Sequence, residues 1–231
     1  PPFYPGPMRS STKRSLPVLL VVALAMSGCL PSAPATGRQG PVRKVALIGD
    51  SLTFGLFGTT ASAIEPLRQR MSASGISLSV DGGPGDTLAT PWPTHAPWVD
   101  QLRARIQSFD PDVVIIQSVL FPGADDPNLQ ANYRQAMAQL LDVAQSRGAH
   151  VYIVRHHRPT NSVERHAADV AEQLQAEVVA GRGVPAIPLD WWLARCRRPF
   201  VADGWHLSAD GARCWADAAT AAINQLRNAI G

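Results

Sequence analysis

The sequence has few cysteines, little net charge and no hydrophobic run long enough to span a membrane. Each of these absences excludes some classes of protein. Only three cysteines occur, so at most one intramolecular disulfide can form. The longest apolar run, Leu16 to Met26, is too short for a transmembrane helix, which needs about 20 residues. No internal repeat stands out. The 231 residues, of which 45% are apolar, suffice for one buried domain and a tail.

Excess charge is also lacking once the N-terminus is set aside. The sequence pI of about 9.1 suggests a polyanionic partner, but Arg9, Lys13 and Arg14 lie in residues 1–28, which contain no acid. Without these three, the 21 basic residues become 18, equal in number to the 18 acidic ones. Electrostatics therefore argues against nucleic acid or another polyanion as a partner.

The N-terminus is typical of an export signal. Met8 begins a short basic region, the apolar run follows, and Met26-Ser27-Gly28-Cys29 comes next. These four residues resemble a bacterial lipoprotein processing site, where cleavage leaves Cys29 as the lipid-bearing first residue. An ordinary signal peptide with a chance cysteine is the alternative. We expect a leader and signal peptide over residues 1–28, a flexible tether over residues 29–41, and an extracytoplasmic protein anchored to the cell membrane.

Two cysteines remain when Cys29 is set aside. In a chain that leaves the cytosol, the pair Cys196 and Cys214 predicts a disulfide, with two buried free thiols as the alternative. The bridge would close a loop that contains Asp203 and His206. The entropy of closing a loop of this size is worth about 3 kcal/mol.

Apolar runs that alternate with amphipathic stretches predict an α/β domain over residues 42–231. Five short runs are typical of buried strands, over residues 44–48, 77–80, 112–116, 150–154 and 186–189. Five stretches with apolar residues at three- and four-residue spacing predict helices, over residues 61–74, 99–109, 129–147, 163–180 and 208–228. Strands that alternate with helices form a mostly parallel sheet in a three-layer α/β/α sandwich. Ligand sites in such sheets lie at the carboxyl ends of the strands.

Two short segments contain the residue types of a nucleophilic site. Gly49-Asp50-Ser51-Leu52 follows the first strand, and Asp203-Gly204-Trp205-His206 precedes the last helix. A serine hydroxyl needs a base to take its proton, and an imidazole oriented by a carboxylate is the usual device. Ser51, His206 and Asp203 fit the roles of nucleophile, base and orienting acid. The alternatives are a helix cap at the first segment and an ordinary surface loop at the second.

These segments, with the alternating pattern between them, resemble an SGNH hydrolase of the GDSL esterase and lipase family. The resemblance extends from Val45 to the last helix and implies a flavodoxin-like five-stranded fold. It also implies an oxyanion hole formed by the backbone N–H of Ser51, the backbone N–H of Gly85 in the glycine turn after the second strand, and a side-chain amide after the third strand. A tight turn at Gly85 is compatible with that role.

The family's asparagine is missing from its expected place. Where Gly-x-Asn-Asp is expected, the chain has Gln117-Ser118-Val119-Leu120-Phe121-Pro122. Loss of one oxyanion donor costs about 3 kcal/mol of transition-state stabilisation. Gln117 is the best chemical replacement, although a polar residue at a strand end is as often structural. The other possibilities are a substitute from Ser118 or the loop, a slow enzyme, or a scaffold that has lost catalysis.

Two further polar clusters have open interpretations. Arg155-His156-His157-Arg158 follows the fourth strand and either contacts a substrate or is a solvated loop. Its two histidines have no third ligand at a suitable spacing, which argues against a metal site. Trp92, His95 and Trp98 either form a wall on which a carbohydrate stacks or pack in the core.

We therefore expect an exported, lipid-anchored serine esterase that hydrolyses short-chain oxygen esters through an acyl-enzyme. Acetyl esters of cell-envelope glycans are the candidate substrates, and only analogy with the family supports that class. No metal or organic cofactor is implied, and a monomer is expected. An envelope O-acyltransferase and a non-catalytic binding protein on the same scaffold are the alternatives.

Overall fold

Strands and helices alternate along the chain in the computed structural model, which describes residues 37–56, 60–89, 95–119 and 123–230. The strands are β1 (Lys44–Gly49), β2 (Ser77–Gly82), β3 (Val113–Gln117), β4 (His150–Arg155) and β5 (Ala186–Pro188). The helices are α1 (Ser51–Phe54), α2 (Ile64–Ala73), α3 (Trp98–Phe109), α4 (Pro127–Gln145), α5 (Ser162–Val179), α6 (Leu189–Leu193) and α7 (Ala209–Ile230). The predicted signal peptide, Cys29 and the tether as far as residue 36 lie outside the described residues.

The five strands form one parallel sheet in the order β2-β1-β3-β4-β5. The chain passes from β1 to β2 on one side and then places β3 on the other, so the strand order reverses at β1. The register aligns Gly49 with both Gly82 and Gln117, which brings three strand ends together at one edge. Sheets of this kind bind ligands at such a switch point, and Ser51 follows β1 there.

Side chains on the two faces of the sheet fill two separate cores. Val45 and Leu47 pack with α2, α6 and α7, whereas Ala46 and Ile48 pack with α3, α4 and α5. Successive side chains of a strand point to opposite faces, so a strand covered on both sides must be apolar almost throughout. The central strands β1 and β3 meet this condition. The predicted three-layer α/β/α sandwich is therefore confirmed.

Strand β2 departs from the prediction of a buried strand. Ser77 is exposed and the rest of the strand is only half-buried. In the described part of the chain β2 pairs with β1 alone, so it is an edge strand. Its alternate residues Ser77, Ser79 and Asp81 are polar, which is tolerated because water reaches that edge.

The sequence pattern also missed two helices. Helix α1 has four residues and α6 has five, too few to show a periodic apolar pattern. The other helices and strands lie close to their predicted bounds. Within the described ranges, no helix has the length and apolar character needed to cross a membrane.

Candidate active site

The turn after β1 presents Ser51 at the carboxyl edge of the sheet. Asp50 caps α1: its Oδ1 accepts a hydrogen bond of 3.0 Å from the Leu52 N–H. Its Oδ2 accepts a second bond, of 2.8 Å, from the Val119 N–H in the loop after β3. Complete burial raises the pKa of Asp50 to about 7, against the opposing effect of these bonds. The carboxyl group of Asp50 thus connects the serine turn to the neighbouring strand end.

The loop before α7 folds around Asp203. One carboxylate oxygen accepts bonds from the backbone N–H groups of Trp205 and His206, at 2.8 and 2.9 Å. The other accepts a bond of 2.8 Å from the His206 ring at Nδ1. Partial burial acts to raise the pKa of Asp203, but these hydrogen bonds outweigh it and hold the pKa below its ordinary value. An ionised Asp203 therefore orients the imidazole.

Ser51 and His206 meet across 155 residues of sequence. The Ser51 Oγ lies 3.1 Å from the His206 Nε2. Because Nδ1 donates its hydrogen to Asp203, Nε2 has a lone pair and accepts the serine hydroxyl proton. His206 is buried, whereas the Asp203 side chain is 42% exposed. The structure thus brings together the three side chains that the sequence assigned to one site, in the order and at the distances that proton transfer needs.

The loop that contains Asp203 and His206 is tied at both ends. The structure contains the predicted disulfide between Cys196 and Cys214, whose Cα atoms are 6.5 Å apart. Inside this loop, Phe200 pairs with Leu207 as an isolated antiparallel bridge. The imidazole and its carboxylate are therefore positioned by a closed loop and not by a regular element.

The glycine turn after β2 lies beside the serine turn. Gly82 has φ of 92°, and a Cβ there would lie 2.1 Å from the Gly49 carbonyl oxygen, so only glycine fits. The Gly83 N–H donates to the same carbonyl at 3.1 Å. Gly85, the predicted oxyanion donor, follows in the turn with φ of 81°. Its donor role stays a prediction.

Gln117 lies at the end of β3 and is completely buried. Its carbonyl oxygen accepts a bond of 3.2 Å from the Trp215 indole of α7. Its amide nitrogen has no hydrogen-bond partner in the part of the chain that the structure describes. Gln117 therefore has a structural contact and an unused donor, and its role in an oxyanion hole stays a prediction. Residues 120–122 of the same segment lie outside the described residues.

The two histidines after β4 are buried, whereas Arg155 and Arg158 on either side of them are exposed. The interpretation as a solvated loop therefore fits the arginines and not the histidines, and a contact with substrate stays a prediction. His156 and His157 are each 1% exposed. The His157 ring stacks on Phe200 at 4.7 Å and contacts Trp205 at 5.1 Å, next to His206. Burial lowers the pKa of His156 to about 4 and that of His157 to about 3, so both rings are neutral at pH 7. His157 thus packs against the loop that contains Asp203 and His206.

Of the two interpretations of the cluster Trp92, His95 and Trp98, the structure tests only the part that concerns Trp98. Trp98 is 2% exposed and packs in the core under α3, which is the second interpretation of that cluster. Trp92 lies outside the described residues. Among the described residues, no three His, Cys, Asp or Glu side chains lie close enough together to hold a metal ion.

Sequence reasoning missed two carboxylates around the site. Asp86 is buried next to the glycine turn and contacts His95. Glu164, in the first turn of α5, lies within electrostatic range of Asp203 and His206, and burial followed by the charge of Asp203 raises its pKa. A carboxylate directly after Gly85 was a signal for Asp86. Nothing in the sequence placed Glu164 near the last loop.

Several solved structures share this fold. The chain superposes on TesA with a TM-score of 0.59 and 20% identity, over 80% of this chain and 99% of that one. It superposes on a GDSL-like lipase from Bacteroides thetaiotaomicron with a TM-score of 0.55 and 14% identity, over 79% and 88% of the two chains. It superposes on a family 3 carbohydrate esterase from Clostridium thermocellum with a TM-score of 0.53 and 19% identity, over 83% of this chain and 100% of that one. At these identities the likeness shows the fold alone, a parallel five-stranded sheet with helices on both faces.

The sequence identifies the family and, with it, the class of carboxylic ester hydrolases. The chain belongs to the GDSL-like lipase/acylhydrolase family, whose model matches residues 47–214, more than half of the chain. The matched range contains Ser51, Asp203 and His206. Among curated proteins, none matches the chain at a significant level.

Proposed function

We propose that this protein is an exported serine esterase that hydrolyses short-chain oxygen esters through Ser51, His206 and Asp203. One observation carries the proposal: the continuous contact from the Ser51 Oγ through the His206 ring to the Asp203 carboxylate, at 3.1 and 2.8 Å. Family membership supplies the reaction type, and this contact supplies the residues.

The proposed reaction has two steps. His206 takes the Ser51 proton as Oγ attacks the ester carbonyl, and the imidazolium then gives that proton to the leaving alcohol. Water, deprotonated by the same ring, releases the acyl group as a carboxylic acid and restores the serine. The N–H groups of Ser51 and Gly85 would bind the oxyanion, and the unused amide nitrogen of Gln117 is the available third donor.

Short acyl groups, acetyl above all, are the proposed acid portion. Analogy with the family and the small residues of the glycine turn, whose Gly83 N–H donates to the Gly49 carbonyl, support this choice. A fold relative is a carbohydrate esterase, which makes acetylated sugars the first substrates to try. The same proposal includes export and a lipid anchor at Cys29. An enzyme anchored in this way would lie at the cell envelope, so an envelope glycan is the proposed substrate.

A fluorophosphonate probe tests the activated serine. Phosphonylation joins Oγ to phosphorus and releases fluoride, so intact mass should show one adduct on the wild type. Ser51→Ala and His206→Ala should give no adduct, while Ser72→Ala, at an exposed serine of α2, should label as the wild type does. A folded wild type that stays unlabelled would overturn the proposal.

The acceptor and the anchor need separate measurements. Turnover of an acetylated glycan in the presence of a second sugar should yield free acetate, and acetylated acceptor as the main product would favour the acyltransferase. For the anchor, the full-length protein should appear in the membrane fraction of a bacterial host, and Cys29→Ala should release it. Equal membrane retention of both forms would contradict a lipid anchor at that residue.

A further inference from the structure

A second imidazole–carboxylate pair lies outside the three residues just described. The His95 Nδ1 is 2.7 Å from an Asp86 carboxylate oxygen. The Asp86 side chain is completely buried, whereas the His95 side chain is 39% exposed. Because Nδ1 pairs with Asp86, Nε2 is the nitrogen that this partly exposed ring has left to pair with a ligand.

The pair belongs to the carboxyl edge of the sheet, beside the serine. The Asp86 N–H donates to the Gly83 carbonyl at 3.2 Å, and the Gly83 N–H donates to Gly49 at the end of β1. A Cβ on Gly83 would lie 3.1 Å from the His95 ring, so the ring packs directly on the glycine turn. Asp86 is also within electrostatic range of Asp50, the residue before Ser51.

The buried carboxylate determines what the exposed nitrogen can do. Asp86 accepts the Nδ1 hydrogen, so a neutral His95 presents a lone pair at Nε2 and a charged His95 presents an N–H. A hydroxyl is the group that pairs with either form, because it both donates and accepts. Such pairing is favoured when the ring is already ordered before the ligand binds. The contacts with Asp86 and Gly83 order the His95 ring, so little conformational entropy is lost on binding.

We propose that His95 recognises a hydroxyl group next to the scissile ester, and that the enzyme therefore prefers esters of polyhydroxy compounds such as sugars to esters of simple alcohols. This inference rests on the proposed esterase function. His95 contacts the substrate and determines specificity, whereas His206 performs the proton transfers.

Two substitutions of His95 distinguish recognition of a substrate hydroxyl from structural support of the glycine turn. His95→Asn retains a donor at the position of Nδ1, which keeps the bond to Asp86, but has no group at the position of Nε2. His95→Gln reaches the position of Nε2 with an amide that can accept or donate there. Two substrates complete the design: a monoacetylated methyl glucoside with free hydroxyls, and cyclohexyl acetate, which has none.

The expected result is selective. His95→Asn should lower kcat/KM for the glucoside about tenfold, the effect of about one hydrogen bond, and leave cyclohexyl acetate within about twofold. His95→Gln should retain most of the activity on the glucoside. Thermal melting should be unchanged in the Asn variant, since its contact with Asp86 persists.

Other results would overturn the inference. Equal losses on both substrates would mean that His95 only supports the glycine turn, and no loss on either would mean that it has no role. Neither result would affect the esterase proposal, which is tested independently by phosphonate labelling of Ser51 in the wild type. Failure of that labelling would remove the esterase proposal and this inference together.

Discussion

At the residue scale, Asp50 has two tasks that compete. Its two oxygens accept the N–H groups of Leu52 and Val119, which holds the serine turn against the end of β3. Burial at 1% exposure makes its ionisation costly, and this cost is why its pKa is raised to about 7. Burial of Asp50 thus lowers the stability of the folded protein, while its hydrogen bonds hold Ser51 in position.

We expect Asp50→Asn to destabilise the protein and slow the reaction of Ser51. An amide has one acceptor oxygen, so one of the two buried N–H groups loses its partner, at a cost of about 1–3 kcal/mol. The free energy of unfolding from urea titration and the rate of phosphonate labelling measure the two effects.

The cost of Asp50→Asn should also depend on pH. The folded-state pKa of Asp50 is raised from 3.8 to about 7, so the wild type loses this group's contribution as pH rises through that window. The Asn variant has no such group to lose. The free energy of unfolding of the wild type should therefore exceed that of the variant by more at pH 5 than at pH 8. A difference that grows with pH would contradict this account.

At the scale of elements, the site depends on two pieces that are not regular secondary structure. The first is the turn between β1 and α1, held by Asp50. The second is the loop between α6 and α7, where the Val201 N–H donates to the His206 carbonyl at 3.0 Å and the disulfide closes the ends. The helices and strands supply a rigid frame to which both are attached.

Removal of the disulfide should affect the site more than the frame. The double variant Cys196→Ser, Cys214→Ser should lower the free energy of unfolding by about 3 kcal/mol or less, through greater entropy of the unfolded chain. Phosphonate labelling of Ser51 should slow under conditions where the variant is still folded, because His206 lies inside the opened loop. Wild type treated with a thiol reductant is the matched control and should behave as the variant does.

Unchanged labelling in the folded double variant would contradict this expectation. It would mean that the Phe200–Leu207 bridge and the packing of Trp205 on His157 hold the loop without the covalent link.

At the scale of the whole molecule, two neutral histidines are buried where the end of β4 meets α5 and the loop between α6 and α7. His156 contacts Gln175 of α5 at 3.3 Å, and His157 packs between Phe200 and Trp205. Burial lowers the pKa of both rings below the ordinary value of 6.5. The unfolded chain therefore binds more protons than the folded protein does in mildly acidic solution, and folding opposes their protonation.

Acid should destabilise the protein partly through these rings. The contribution of His157 is present above about pH 6.5 and is lost as pH falls toward about 3, at about 1.4 kcal/mol per pH unit. His157→Phe keeps an aromatic ring against Phe200 and cannot titrate. Urea titrations between pH 7 and pH 5 should show a smaller loss of stability for the variant than for the wild type, and parallel pH curves would contradict the assignment.

The sequence predicted much of this protein because its local patterns are strong. Apolar runs such as Val45 to Ile48 must be covered on both faces, which leads to a parallel sheet with helices on each side. Short helices such as α1 and the edge position of β2 were missed, since neither leaves a periodic signal.

What the sequence by itself determined is the fold class and the residue types available for chemistry, because both follow from short-range patterns of polarity and from the reactivity of Ser51, Asp203 and His206. Only the tertiary structure decided which of the polar residues meet. It joined Ser51 to His206 across the sheet, turned the Gln117 carbonyl toward Trp215, buried His156 and placed His95 on Asp86. Such contacts depend on strand order and on the packing of distant side chains, which no local pattern specifies.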